Sequence, residues 1–381
     1  MLVKKLKVMT ILGTRPEIIR LSRVISLLDQ HTTHILVHTG QNYDYELNEI
    51  FFKDLKIRKP DYFLNVDTKS LGSVLGGILI KSEEVLLAEK PDAVVILGDT
   101  NSSIAAVIAK RLRIPIFHME AGNRCFDANV PEEINRKIVD HISDFNLVYT
   151  EHARRHLLSE GLPSRRIILT GSPMFEVILH FKTQIDKSRI LEKLKIKKKN
   201  YFLVSFHREE NVDDPATLKT ICSILNKIAE KYKRPVFVST HPRTKKRLEA
   251  LSKTVTFDSL ITFGTPFGYF DYMKLQQNAI CTISDSGTIS EESAILSFPA
   301  ITLRNSMERP EALDAGTIII TGIDADTVLN AIALETEECK QGIRKKIPDE
   351  YQVGDTSWRV VKLITGTAKL SNQWSGVKNR R

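Results

Sequence analysis

Four short polar clusters in the first half of the chain each follow an apolar run and hold residues able to move protons. They are Gly13-Thr14-Arg15-Pro16-Glu17, Leu97-Gly98-Asp99-Thr100, His118-Met119-Glu120-Ala121-Gly122-Asn123-Arg124 and Pro131-Glu132-Glu133-Ile134-Asn135-Arg136. Asp99 and Glu120 end strongly apolar stretches, where a carboxylate is partly buried and must be paired or shifted in pKa. Each cluster also has an ordinary alternative. Residues 13–17 make a simple strand-to-helix turn, Asp99 is a good helix N-cap, and Glu132 in a first helical turn is a common dipole partner. Taken together, Asp99, Glu120 and Glu132 fall at the same end of one sheet. Three carboxylates converging on a crevice are costly unless they serve proton transfer or metal binding.

The second half carries different chemistry. Its clusters are Phe206-His207-Arg208-Glu209-Glu210-Asn211, Thr240-His241-Pro242-Arg243, Ser284-Asp285-Ser286-Gly287-Thr288-Ile289-Ser290-Glu291-Glu292 and Met307-Glu308-Arg309-Pro310-Glu311. Ser286 and Gly287 stand where a strand gives way to a helix, so free N–H groups and a hydroxyl form a phosphate seat. Glu292, nearly two turns into that helix, can reach two ribose hydroxyls. Arg309 can clamp a diphosphate. The C-terminal half therefore reads as a nucleotide-diphosphate holder and the N-terminal half as acid–base machinery. There is no GxxxxGK[ST], no GxGxxG after the first strand and no zinc-like His/Cys spacing. Neither a metal nor another cofactor is expected.

These clusters need a frame. Short apolar runs at 6–12, 34–37, 93–97, 114–117 and 145–149 predict buried strands. Amphipathic stretches at 16–28, 71–88, 103–112 and 133–142 predict helices between them. The pattern restarts with strands at 201–206, 235–239, 260–263, 279–284 and 300–303, and helices at 216–232 and 273–278. Strand–helix alternation predicts an α/β chain with parallel sheets covered on both faces. At 381 residues, two doubly wound, Rossmann-like domains are expected: 1–172 with the carboxylates and 173–355 with the nucleotide seat, around an interdomain cleft. A last helix within 356–381, begun by Asp355-Thr356 as a cap, is expected to pack back onto the first domain.

Composition narrows the class. With 42% hydrophobic and 27% charged residues the chain is no disordered protein. No apolar stretch approaches a membrane span, and MLVKKLKVMTILG reads as a first strand, not a leader. Cys125, Cys222, Cys281 and Cys339 form no CxxC, which suits free thiols in a reducing cytoplasm. The net charge of +9 collects in surface-like runs such as 195–199, without the aromatic-and-basic platform of a nucleic-acid binder. Neither nucleic acid nor stable membrane insertion is expected; a homodimer is.

In this order, from Gly13-Thr14-Arg15-Pro16-Glu17 to Gly354-Asp355, the motifs resemble those of the non-hydrolysing UDP-N-acetylglucosamine 2-epimerases. The likeness runs over almost the whole chain. It implies the GT-B architecture of paired Rossmann-like domains, with Asp99, Glu120 and Glu132 as catalytic carboxylates. His207 joins the catalytic set while also holding UDP with Arg15, Ser286, Glu292 and Arg309. Arg20, Arg136, His241 and Gly287 complete the substrate contacts, and Tyr272 falls where the family packs an aromatic near the uracil. Several positions depart from the family pattern. Arg20 replaces a common Lys, Gly287-Thr288-Ile289-Ser290 replaces Gly-Gly-Ile-Gln, and Gln41-Asn42 replaces the Gln-His used in binding an activating UDP-GlcNAc. The phrases 123–127 and 207–211 are closer to a branch making UDP-N-acetyl-L-fucosamine from a 6-deoxy sugar, with Phe126 either a wall for a C6 methyl or a loop-anchoring core aromatic.

The implied reaction explains the residue types. C2 bears an acetamido nitrogen, so its proton is barely acidic. If UDP leaves C1 as that proton is removed, a 2-acetamidoglycal forms without a free carbanion. Return of UDP, with a proton on the opposite face, inverts C2. This requires carboxyl groups held in different protonation states and cations for the departing diphosphate. A GT-B glycosyltransferase sharing the UDP seat is the competing class.

Overall fold

The computed structural model describes residues 5–40, 45–251, 255–343 and 346–377; Gln41 and Asn42 lie outside them. The chain divides into two compact units, Met1–His180 with Asp349–Arg381, and Phe181–Pro348. The first exchange falls inside the helix Met174–Lys187, later than 172/173, and the chain returns before 356.

Seven strands of the first unit form one sheet: β1 (Lys7–Leu12), β2 (Thr33–His38), β3 (Tyr62–Phe63), β4 (Ala93–Leu97), β5 (Ile116–Ala121), β6 (Phe145–Val148) and β7 (Ile167–Leu169). All pair in parallel, in the order β3-β2-β1-β4-β5-β6-β7. The second unit repeats the plan with β8 (Phe202–Ser205), β9 (Val236–Ser239), β10 (Ile261–Gly264), β11 (Thr282–Ser284), β12 (Ala300–Thr302) and β13 (Ile319–Ile320), in the order β10-β9-β8-β11-β12-β13. The central strands read as uninterrupted apolar runs because helices cover both faces; every residue of β4 is buried. Strand order reverses between β1 and β4, and again between β8 and β11. Ligands of open α/β sheets bind at such switch points, beyond the strands' C-terminal ends. Residues 13–15 and 98–100 flank the first switch point; 206–208 and 285–287 flank the second.

Five elements differ from expectation. The strand expected to end at Phe117 runs on to Ala121, because its polar residues find buried partners. The short edge strands β3, β7 and β13 lacked a sequence signal of their own. Asp355 occupies the N-cap position of the last helix, Thr356–Trp374, but makes no cap bond; it pairs with Arg359 at 2.9 Å. Glu176 does the capping, accepting from Ser357 N at 2.8 Å. That helix lies against Arg15–His31, with the rings of Trp358 and His31 5.4 Å apart. At its far end Arg166 sits over the rings of Phe145 and Trp374, at 4.9 and 5.5 Å.

Candidate active site

At the first switch point, β1 hands over to the helix Arg15–His31 through Thr14, with Glu17 in the first turn. Glu17 Oε2 accepts from Gly13 N, Thr14 N and Thr14 Oγ1 at 3.0, 2.7 and 2.8 Å, and from Ser102 Oγ at 3.3 Å. One buried carboxylate thus ties the end of β1 to the turn that follows β4. Burial pushes its pKa up to about 7, against the opposing pull of those hydrogen bonds. Folding therefore favours the protonated form. Stability from this group is full below the unfolded value near 4.5 and is lost as pH rises through about 7. The shift amounts to about 3 kcal/mol. Glu17→Gln is expected to gain in thermal stability relative to the parent between pH 5 and 8; a pH-independent difference in Tm contradicts the assignment.

Asp99 is no helix cap: the turn after it starts from Thr100. Its Oδ2 instead accepts from Arg136 Nε and Nη2 at 3.0 and 2.6 Å. Arg136 Nη1 donates to Glu133 Oε2 at 2.7 Å. Arg136, expected among the substrate contacts, is buried and bridges two carboxylates. Asn135 adds a bond from Nδ2 to the Asp99 carbonyl at 2.9 Å. The helix Pro131–Ile142 therefore orients Asp99, and Glu132 stands half-buried in its first turn.

Glu120 lies within β5, where the register with β6 shifts between Met119 and Ala121. Its φ is +63°, the left-handed region that costs a non-glycine residue of order 1–3 kcal/mol. The twist brings its carboxylate against the Arg20 guanidinium in a nearly buried ion pair. Arg20 is thus Glu120's counter-ion, not an open substrate contact. Gly98, at φ +70°, sits opposite: a Cβ there would lie 3.3 Å from Glu120 Oε2. Only glycine allows both the turn before Asp99 and the approach of this carboxylate. Arg15 is half-buried with its guanidinium 5.9 Å from the Phe51 ring centroid.

Beneath these groups lies a cluster whose His118 and Arg124 stand in the third motif without an assigned task. His118 Nδ1 faces Asp140 Oδ1 at 2.9 Å, and Nε2 faces the Gly98 carbonyl at 2.8 Å. Arg124 donates to Asp140 at 2.7 Å and forks onto Glu160 at 2.7 and 2.6 Å. Arg124 and Asn211 belong to the phrases that resemble the 6-deoxy branch, yet both are committed to internal bonds. Phe126 is 75% exposed, so it is no core aromatic; its ring meets His156 edge-on at 5.3 Å.

At the second switch point the buried Asp285 organises the loop after β8. Its Oδ2 accepts from His207 N, Arg208 N and Asn211 Nδ2 at 2.9, 3.0 and 2.9 Å, and Oδ1 pairs with His207 Nδ1 at 3.1 Å. Burial opposes the charge, but these partners hold the carboxyl below the usual carboxylate range. The His207 ring stays 46% exposed, 5.9 Å from that of His241. Ser286 and Gly287 form the turn before the helix Ile289–Leu296, and Ser286 Oγ bonds Thr288 Oγ1 at 3.0 Å. A Cβ at Gly287 would lie 3.8 Å from Arg304 Nη1 and 3.9 Å from Arg208 Nη2. Those two arginines flank the turn, steadied by Glu308.

Arg309, expected as the diphosphate clamp, is buried 3.5 Å from Glu291. Glu292 is the helix's fourth residue, one turn in rather than two, and its Oε2 accepts from Gln276 at 2.7 Å. Tyr272 OH bonds Ser205 Oγ at 2.8 Å, which bonds Ser284 Oγ at 2.8 Å.

A model of the UDP-N-acetylglucosamine 2-epimerase family matches residues 27–365. The chain belongs to that family. A Rickettsia bellii UDP-N-acetylglucosamine 2-epimerase structure is similar at 48% identity and TM-score 0.90, covering 98% of this chain and all of that one. The Methanocaldococcus jannaschii UDP-GlcNAc 2-epimerase, solved with UDP-GlcNAc and UDP, aligns at 37% identity and TM-score 0.88, over 94% and 99% of the chains. A Pseudomonas aeruginosa UDP-2,3-diacetamido-2,3-dideoxy-D-glucuronate 2-epimerase is 33% identical over 94% of this chain and 99% of its own length. The fold class is GT-B, as in the family. No helix among the described residues is long and apolar enough to cross a membrane.

Proposed function

We propose that this chain interconverts UDP-N-acetylglucosamine and UDP-N-acetylmannosamine by eliminating UDP and adding it back through a 2-acetamidoglycal. The supporting observation is the carboxylate pair at the first switch point: Asp99 under Arg136 and Glu120 under Arg20, each with its own counter-ion. A C2 inversion needs one proton removed and another delivered, and two carboxyls, each held by an arginine, suit that division. Glu132 is the third member, and Arg15 serves the leaving diphosphate. In the second unit Ser286, Gly287 and the adjoining Arg208 and Arg304 take the phosphates, Glu292 the ribose, Tyr272 the base side, and His207 with His241 the phosphate flank. We assign the enzyme to the cytoplasm, as a homodimer supplying surface-polysaccharide synthesis.

The test is incubation with UDP-GlcNAc in deuterated water. Deuterium at C2 of product that still carries UDP supports the proposal. Free sugar and UDP in equal amounts indicate hydrolysis instead, and sugar transfer to an acceptor indicates a glycosyltransferase. Since phosphate charge is assigned to arginines and a helix start, EDTA is expected to leave the rate unchanged; a loss restored by a divalent cation contradicts that assignment. The resemblance of residues 123–127 and 207–211 to the 6-deoxy branch motivates measuring kcat/KM side by side for UDP-GlcNAc and UDP-2-acetamido-2,6-dideoxy-L-talose.

A further inference from the structure

Both ring nitrogens of His118 lie within 3 Å of groups that can only accept. Nε2 is 2.8 Å from the Gly98 carbonyl, and Nδ1 is 2.9 Å from an Asp140 oxygen. The other Asp140 oxygen accepts from Arg124 Nη1 at 2.7 Å, and Gly122 N approaches the same carboxyl at 3.3 and 3.2 Å. A carboxylate so supplied with donors has no use for a proton of its own. A neutral imidazole has one N–H and would set a lone pair against either a carbonyl or a carboxylate. We infer that His118 is a positioning residue protonated at neutral pH, an imidazolium that pins the Gly98 carbonyl and so sets the peptide entering Asp99 and the bulge that presents Glu120.

The placement supports this. His118 and Asp140 are wholly buried, and a charge there persists only if paired. His118 lies in β5 two residues before Glu120, and its bond crosses to the residue after β4, so it ties the strand that carries Glu120 to the turn that carries Asp99. Gly98 and Glu120 are both in the left-handed region, which glycine adopts freely but which Glu120 keeps only because its surroundings overdetermine it. The charged groups bearing on the ring are Asp140 from the helix Pro131–Ile142, with Arg124 and then Glu160 behind it, and Asp99 from the loop after β4. Burial is the largest single influence and opposes the ring's charge, but Asp140, the Gly98 carbonyl and Asp99 together outweigh it, and the pKa is raised.

The inference rests on the proposed epimerisation only for its kinetic arm. The direct measurement is nitrogen NMR of the histidine-labelled full-length protein. His118 is expected to show two protonated ring nitrogens at pH 7.5, and the Asp99 amide to titrate with the ring at alkaline pH. A single neutral tautomer at pH 7.5, or an Asp99 amide indifferent to the ring's titration, overturns the inference even if the protein epimerises normally. Asp140→Asn is expected to move the ring's titration down by at least about one pH unit, the worth of one lost charge partner. The alkaline limb of kcat for UDP-GlcNAc follows it, with kcat lowered on the order of 10²-fold by misplacement and KM little changed. A variant that loses Tm but keeps the limb at the parental pH makes His118 structural only. If Asp140→Asn does not fold, the parental NMR titration decides alone. A parental protein that shows the two N–H signals but no epimerisation refutes the proposed function and leaves this charge assignment standing.

Discussion

Asp99→Asn is expected to lower kcat for UDP-GlcNAc epimerisation on the order of 10²–10⁴-fold, the usual worth of a positioned acid or base. Asparagine keeps an oxygen for the two Arg136 bonds at 3.0 and 2.6 Å, so the loop after β4 keeps its shape. It removes the ability to take or release a proton. UDP affinity, assigned to the second unit, is expected to change by less than about 0.5 kcal/mol, about twofold, because Asp99 is assigned no contact with UDP. Rate measurement and calorimetry on one sample settle it. Equal loss of rate and UDP affinity means that Asp99 holds the substrate instead of moving its proton.

The second large effect separates two arginines that the motifs alone would treat alike. Arg309 and Glu291 are both buried, 3.5 Å apart. Arg309→Ala leaves a buried carboxylate without this partner, a loss of about 3–5 kcal/mol in comparable pairs. Each kcal/mol lowers Tm by roughly 2–4 °C in a unit of this size. Arg208 is more open, and Nη2 lies near where a Gly287 side chain would be. Arg208→Ala is expected to weaken UDP binding by about 2–5 kcal/mol with a smaller change in Tm. Calorimetry with UDP and thermal melts on both variants give the comparison. If Arg309→Ala loses UDP affinity at parental stability, Arg309 is the clamp after all and the arginines flanking Gly287 are scaffold.

These arginines show where sequence reading stopped. His207-Arg208 was visible as a cluster after β8, and either residue could have faced a ligand. The geometry splits their roles: His207 stays exposed on Asp285, while Arg208 lies beside Gly287 with Arg304, nearly a hundred positions further on and outside any motif. Likewise Arg20, Arg136 and Arg309 looked like three cations for one anionic substrate. In the fold they meet Glu120, Asp99 with Glu133, and Glu291. A positive side chain near a candidate carboxylate is as readily its counter-ion as a ligand's, and sequence spacing does not distinguish the two. Glu17 and His118 were quoted within their motifs but given no task, because burial, not identity, makes them matter.

Alternation of apolar runs with amphipathic stretches was enough to determine two doubly wound halves, since parallel strands covered on both faces must be apolar along their whole length. Glycine, serine and carboxylate at strand ends were enough to point to the two switch points, because strand order reverses there and leaves those ends uncovered. Only the tertiary structure decided which charges pair. Asp99 finds Arg136, Arg124 finds Glu160, and His118 finds Asp140 once strand order has brought β4, β5 and the helix Pro131–Ile142 together. It also decided that Glu120 turns into the left-handed region, a strained choice that local preference disfavours and that Arg20 and Gly98 make room for. Partner choice and strain depend on neighbours distant in sequence, and those neighbours exist only after the sheet has closed around them.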